Sequence, residues 1–252
     1  QENYSSSPVI YEDSIIYGAQ SGRVYSRKLV SGELNYELDV GASVDGEPVV
    51  SKGRLFIQLR NHQVFALDAT TGKTLWSYKK SVTAKTSIQG VGKGVVLDNK
   101  VYFGFADGDL VSFRVETGDV VWEKKVAQSQ DKFLDLNWSI VKFNKFLATT
   151  DASGFLYIIN ANNGEVIQQL DASSSTNLIL FDSSIIFGDT YGNIKSVDSS
   201  YEVKSLGRVS KRSLTRINQW RNMIISSDIE GVFTLFSLDE RTTLFRKMLG
   251  NN

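Results

Sequence analysis

The chain reads as an all-β repeat protein, with six four-stranded antiparallel blades closing into a β-propeller. Three observations predict this. A motif of two turns ten residues apart recurs six times, apolar residues alternate between those turns, and no stretch spaces its apolar residues at i, i+3, i+4 and i+7 as an amphipathic helix would. With 41% hydrophobic residues, including 14 Phe, 10 Tyr and 4 Trp, the 252-residue chain has enough apolar area for a substantial core.

The clearest copies of the motif, residues 63–76 and 109–122, align without a gap. First turns fall at Gly22, His62, Gly108, Gly154, Gly192 and Gly231, which are 38 to 46 residues apart. The positions ten residues later are Gly32, Gly72, Gly118, Gly164, Glu202 and Arg241. Glycine suits such turns because it reaches positive φ without a Cβ clash. Four residues further on stand Tyr36, Trp76, Trp122, Gln168, Leu206 and Phe245, a bulky apolar slot in all units but the fourth.

One apolar run precedes each first turn: 15–17, 55–57, 101–103, 146–148, 185–187 and 223–225. A further strand lies ahead of it, as at 8–10, 48–50, 94–96 and 178–180. Pro8 and Pro48, the only prolines, open first strands, where a missing amide donor is tolerated. The units are therefore 7–46, 47–90, 91–136, 137–175, 176–215 and 216–252, taken as one domain 1–252. No unit covers both faces of its sheet alone, so each must stack on its neighbours, and radial stacking gives a propeller. The seven residues before Pro8 are short for an exchanged strand, so blade six is expected to be self-contained, with 243–248 as its fourth strand. One arc of a larger ring is the alternative.

Composition excludes several functions. A net charge of zero and a pI of 6.8 provide no field to draw nucleic acid. With no cysteine there is no disulfide, thiolate metal site or thiol nucleophile. No apolar run reaches the roughly 18–20 residues that cross a bilayer as a helix. The start at Gln1 does not resemble a signal peptide, so a signal or lipid anchor would lie upstream.

Residues 66–76 resemble the quinoprotein-type (PQQ-like) repeat, found in quinone-cofactor dehydrogenases and in non-enzymatic propellers. From about Thr86 to Val203 the order of blades and loops resembles the BamB-type lipoproteins of outer-membrane barrel assembly. What that resemblance implies is a periplasmic, outer-membrane-associated scaffold, monomeric by itself. In that family an Asp-x-Asp loop and a Leu-x-Leu-Arg-Gly loop dock onto periplasmic domains of a β-barrel insertase. The matching positions here are Asp135-Leu136-Asn137 and Thr86-Ser87-Ile88-Gln89-Gly90. Gln89 replaces the arginine and cannot make its charge-assisted fork, and six blades are fewer than the usual eight.

Partner-binding residues on this reading are Thr86, Ile88, Gln89, Asp135, Asn137, Trp138, Lys211 and Arg212, with loops 81–94 and 127–138 as the main contacts. No catalytic, cofactor or metal site is assembled. Asp68, Asp107, Asp151, Asp189 and Asp198 read as turn residues, and His62, the only histidine, as a loop residue without a partner ligand. Trp76 and Trp122 read as core, Trp138 and Trp220 as exposed contacts. From Lys204 to Arg221 six basic residues occur with no acid among them, while residues 12–47 carry seven acids to three bases. This is either help with ring closure or a docking surface for an acidic partner. The alternative function is a channel that binds a small ligand such as a sugar or quinone, or turns it over with a quinone cofactor.

Overall fold

The computed structural model describes residues 2–4, 6–82, 92–127, 134–136 and 139–249. Among them there is no helix, and the strands form six four-stranded antiparallel sheets, each in simple chain order. Contacts divide the chain into two compact units, Gln1–Ile140 and Val141–Asn252.

The first unit holds three sheets. These are β1 (Val9–Tyr11), β2 (Ser14–Gly18), β3 (Arg23–Lys28) and β4 (Leu34–Asp39); β5 (Val49–Ser51), β6 (Arg54–Gln58), β7 (Gln63–Asp68) and β8 (Thr74–Lys79); and β9 (Val95–Leu97), β10 (Lys100–Gly104), β11 (Asp109–Arg114) and β12 (Val120–Lys125). The fourth sheet, β13 (Ile140–Phe143), β14 (Phe146–Thr150), β15 (Phe155–Asn160) and β16 (Val166–Asp171), starts at the division. Within the second unit follow β17 (Ile179–Phe181), β18 (Ser184–Gly188), β19 (Asn193–Val197) and β20 (Val203–Arg208), then β21 (Leu214–Trp220), β22 (Met223–Asp228), β23 (Val232–Ser237) and β24 (Thr242–Met248). The sixth sheet is built from one continuous stretch of chain, as expected.

The first turns behave alike. All six residues, His62 included, have φ between 64° and 89°, and each donates its amide to the carbonyl three residues earlier, from Gly22 to Ala19 through Gly231 to Asp228. The second turns follow the repeat at Gly32, Gly72, Gly118, Gly164 and Arg241. The fifth unit departs from it. Its positive-φ residue is Tyr201, not Glu202, its turn closes from Tyr201 to the Asp198 carbonyl, and Leu206 falls in the register shift between Ile194 and Lys195. There the strand pairing ends at Val197↔Val203, and the shorter turn moves the bulge. Leu206 still packs against the buried Ile186, Ile194 and Phe236.

Middle strands are the most buried because sheets cover them on both faces. Phe56, Val64, Trp76, Phe103, Val111 and Phe113 form one cluster between the second and third sheets. Ile16, Val24, Leu55, Ile57 and Leu67 form another between the first and second. In the second unit, Phe143, Ala148, Ile158, Ile185 and Phe187 fill the equivalent space.

Candidate functional site

Each sheet has two dissimilar ends. At one end the first turn meets the linker to the next sheet: the amides of Val40, Lys80 and Val126 donate to the carbonyls of Gly22, His62 and Gly108 at 2.8, 3.2 and 2.9 Å. At the other end the second turn meets the short hairpin before it, with Leu29, Ala69 and Val115 donating to Asp13, Gly53 and Asn99. Loops 81–94 and 127–138 are linkers, so both spring from the first-turn end of unit 1–140.

The roots of those loops are held by buried polar contacts. Lys80, at the mouth of the first loop, is buried, and its ammonium reaches Asp109 at 2.7 Å, Asp107 at 3.4 Å and Glu123. Burial works against that ammonium, yet hydrogen bonds to Asp109 and Glu123 outweigh it and hold its pKa well above the ordinary lysine value. Burial and the neighbouring Asp109 charge push the Asp107 carboxyl up. The second loop is pinned from both sides. Val126 and Ala127 both donate to Gly108 O, and Leu136 N donates to Phe105 O at 3.2 Å. Leu136 passes so close that a Cβ built on Gly104 would lie 1.9 Å from its carbonyl oxygen. Gln58, itself buried, donates to the Gly104 carbonyl at 2.9 Å and ties the second sheet to the third at this point. Lys80, Gln58 and Gly104 were not singled out from sequence. The available signal was a lysine closing β8 and an Asp-Gly-Asp turn opening β11 in the next repeat.

Of the partner-binding residues expected above, Thr86, Ile88, Gln89, Asn137 and Trp138 lie outside the described residues. Asp135 is fully buried, and its charge acts on His62. Lys211 is exposed, and Arg212 is exposed with its guanidinium on Glu230 at 2.7 Å. The basic stretch is less free than its sequence suggests, because the fold brings acids to it from outside. Lys204 binds Asp198 at 2.7 Å, Arg208 donates to Ser210 O, and Arg221 lies over the Trp220 ring. Four acids between residues 33 and 47 find cations within unit 1–140: Glu33 with Lys28, Glu37 with Arg23, Asp45 with Arg60 and Glu47 with Lys93. Trp220 is 52% exposed, but it stands at the end of its sheet opposite to Lys211 and Arg212.

The aspartates act as turn caps. Asp68 accepts from Thr70 and Thr71, Asp198 from Ser200, Asp151 from Phe155 and Tyr157, and Asp189 from Tyr191 and Asn193. Asp228 repeats the pattern, accepting from Glu230 and Val232 at 2.9 Å. Among the described residues no group of three His, Cys, Asp or Glu side chains is placed to hold a metal ion.

His62 packs beside Phe105 with the rings tilted by 51° and their centroids 6.5 Å apart, and burial holds its imidazole below the usual value of 6.5 despite the Asp107 and Asp135 charges. The unfolded chain therefore takes up this proton at a higher pH than the native one, and His62 contributes a loss of stability as pH falls through 6.5. His62→Asn, which keeps a residue that tolerates positive φ, should flatten the fall in urea midpoint between about pH 7 and pH 5. An unchanged slope would assign that acid sensitivity elsewhere.

The family model described as outer membrane protein assembly factor BamB matches residues 2–201. The BamB of Kangiella koreensis is 24% identical, over 97% of this chain and 75% of that protein. A quinoprotein alcohol dehydrogenase, PedH of Pseudomonas putida, is 32% identical over 48% of this chain and 22% of its own length. The crystal structure of BamB from Moraxella catarrhalis superposes with a TM-score of 0.81 at 20% identity, covering 98% of this chain and 77% of that one. The last likeness is one of fold, and the fold class is the β-propeller with four-stranded antiparallel blades.

Proposed function

The chain belongs to the outer membrane protein assembly factor BamB family, and on that premise we propose that it is a non-enzymatic scaffold of outer-membrane protein assembly, working at the periplasmic face of that membrane. It grips a protein partner through the linkers at the first-turn end, above all 81–94 and 127–138. The observation that carries this reading is the way those linkers are rooted. Lys80 with its three carboxylates, and Leu136 against Gly104, hold the ends of both loops to packed strands. A loop held on a rigid support loses less conformational freedom on binding than a free one, which favours affinity. The partner on this reading is the periplasmic part of a β-barrel insertase.

The test is a binding titration with purified periplasmic domains of such an insertase. Ile88→Asp and Trp138→Ala should each weaken binding by about tenfold or more if these side chains anchor the contact. Lys211→Ala, a charge on neither loop, should change it little. Binding indifferent to all three would remove the loops from the account.

The partial alignment to a quinoprotein dehydrogenase favours a second reading, a small ligand such as a sugar or quinone bound between blades. A saturable calorimetric signal with pyrroloquinoline quinone plus Ca²⁺, undiminished by the loop substitutions, would support it.

A further inference from the structure

In the first turns of the fifth and sixth sheets the residue that opens the turn also caps it. Asp189 accepts from the amides of Tyr191 and Asn193 at 2.9 and 2.8 Å, and Asp228 from those of Glu230 and Val232. Both aspartates are buried and satisfied: Asp189 also pairs with Lys195 at 3.0 Å, and Asp228 accepts from Ser210 Oγ at 2.5 Å. The second and third sheets cap instead from the tip of the turn, through Asn61 and Asp107. Capping from below leaves the tip positions to side chains that the turn does not need, and they carry Tyr191 and Ile229, each 64% exposed.

The linker 209–213 runs between these two turns and is fastened to both. Val209 N and Ser210 N donate to Gly192 O at 2.9 and 3.1 Å, and Leu214 N donates to Asp189 O at 3.2 Å. A Cβ built on Gly192, next to Tyr191, would stand 2.2 Å from Ser210 O and 2.8 Å from Arg212 O. On the other side Ile229 N donates to Ser213 O at 3.1 Å, and Arg212 reaches Glu230. Ser210 Oγ accepts from Arg212 N at 3.0 Å and donates to Asp228, which ties the bend of the linker to the sixth sheet. Tyr191, Lys211, Arg212 and Ile229 therefore follow one another along a single frame of hydrogen bonds.

This rim carries more positive charge than the fold neutralises. Among residues 189–192, 208–213 and 228–231, Arg208, Lys211 and Arg212 are exposed against one exposed acid, Glu230. Arg212 pairs with that acid and Arg208 donates to Ser210 O at 2.9 Å, but among the described residues neither Arg208 nor Lys211 is in an ion pair. Thr190 is exposed in the fifth sheet at the place that Ile229 holds in the sixth, so exposure there belongs to the turn tip. Single exposed apolar side chains are ordinary, whereas an aromatic and an aliphatic one grouped with arginine have the composition of a protein-binding surface.

We propose that this rim of unit 141–252 is a second interaction surface, and that its occupant is an acidic protein segment carrying an apolar side chain. The carboxylates of the segment meet Arg208 and Lys211, and its apolar residue lies against Tyr191. Charge complementarity selects this occupant, because the rim has three cations to one acid and its two buried aspartates are already paired or capped. An anionic lipid surface fits less well: it would press Glu230 against its headgroups and receive only two apolar tips, whereas a chain segment can leave Glu230 to Arg212. Neither loop 81–94 nor loop 127–138 contributes a residue, so this surface stands or falls apart from the insertase contact.

The experiment is a fluorescence-anisotropy titration of the whole chain into a dye-labelled peptide that repeats glutamate, glutamate and phenylalanine. The peptide should bind saturably, and its counterpart with glutamine for glutamate should not. Lys211→Glu and Tyr191→Ser should each weaken binding about fivefold or more, and Lys211→Glu should also flatten its dependence on salt. Trp220→Ala, at the opposite end of the sixth sheet, and Ile88→Asp, in the first loop, should leave it unchanged. Far-UV circular dichroism should match wild type for every variant, since these side chains are not part of the core. A peptide that does not bind overturns the proposal, as does binding that neither rim substitution weakens or that Ile88→Asp abolishes. Vesicles of phosphatidylglycerol that bind the chain, and lose it on Lys211→Glu while the peptide stays unbound, would give the rim to lipid and overturn it too.

Discussion

Trp76→Ala should lower the stability of unit 1–140 by about 3–5 kcal/mol, the range for truncating a buried aromatic. The side chain fills space between Phe56 and Phe113, each 5.9 Å away by ring centroid, and its backbone support is Gly118 on the next sheet. Removing the ring leaves a cavity between two packed sheets, and it leaves Val115 O without its indole donor. Trp76→Phe separates these effects, because it keeps much of the packing and loses the donor, with an expected cost of about 1–3 kcal/mol. The contrast is Gln168, which occupies the same slot on β16 but is exposed; Gln168→Ala should stay within about 0.5 kcal/mol. Urea unfolding followed by circular dichroism gives all three numbers. A Trp76→Ala cost no larger than that of Gln168→Ala would mean that the aromatic slot does not join the sheets.

The second large effect is expected at Lys80. Lys80→Met conserves the bulk of the aliphatic stem but leaves Asp107, Asp109 and Glu123 facing one another. Taking one partner out of a buried ionic group costs about 3–5 kcal/mol, because the remaining charges are desolvated and uncompensated. The deficit should depend on pH in a defined direction. Asp107 already holds its proton more tightly than an ordinary aspartate, through burial and the Asp109 charge, and loss of the lysine raises its affinity further. The native variant then binds more protons than its unfolded chain in that range, so its stability relative to wild type recovers as pH is lowered from about 7 towards 4. A deficit independent of pH would show that Lys80 acts by packing alone. Because the same lysine roots loop 81–94, the variant should also bind an insertase domain more weakly than its folded fraction accounts for.

Most of the architecture can be read along the chain because it is encoded locally. A turn that needs positive φ must have Gly there, or a residue such as His62 that tolerates it, and apolar alternation assigns the strands on either side. That reading fails where local rules leave a choice. Glu202 and Tyr201 both fit the fifth second turn, and the strand pairing, which ends at Val197↔Val203, selected Tyr201. Of the six first strands, β13 and β21 were not picked out along the chain.

The site was less legible. Asp135 matches a docking motif in sequence, yet it is buried, because exposure of a side chain depends on what packs over it from other repeats. The basic run from Lys204 to Arg221 has no acid among its own residues, but Asp198 and Glu230 reach it across strand pairs.

What the sequence by itself determined is the repeat: the number of units, the class of the strands, the turn residues and the aromatic slot, all set by interactions within about fifteen residues. What only the tertiary structure decided is which copies of that slot are filled. Tyr36 and Trp76 each lie over a glycine of the following sheet, whereas Gln168 in the same slot is exposed. The reason is that burial of a ring is a property of the surface facing it, and that surface belongs to residues some forty positions away, which no local pattern specifies.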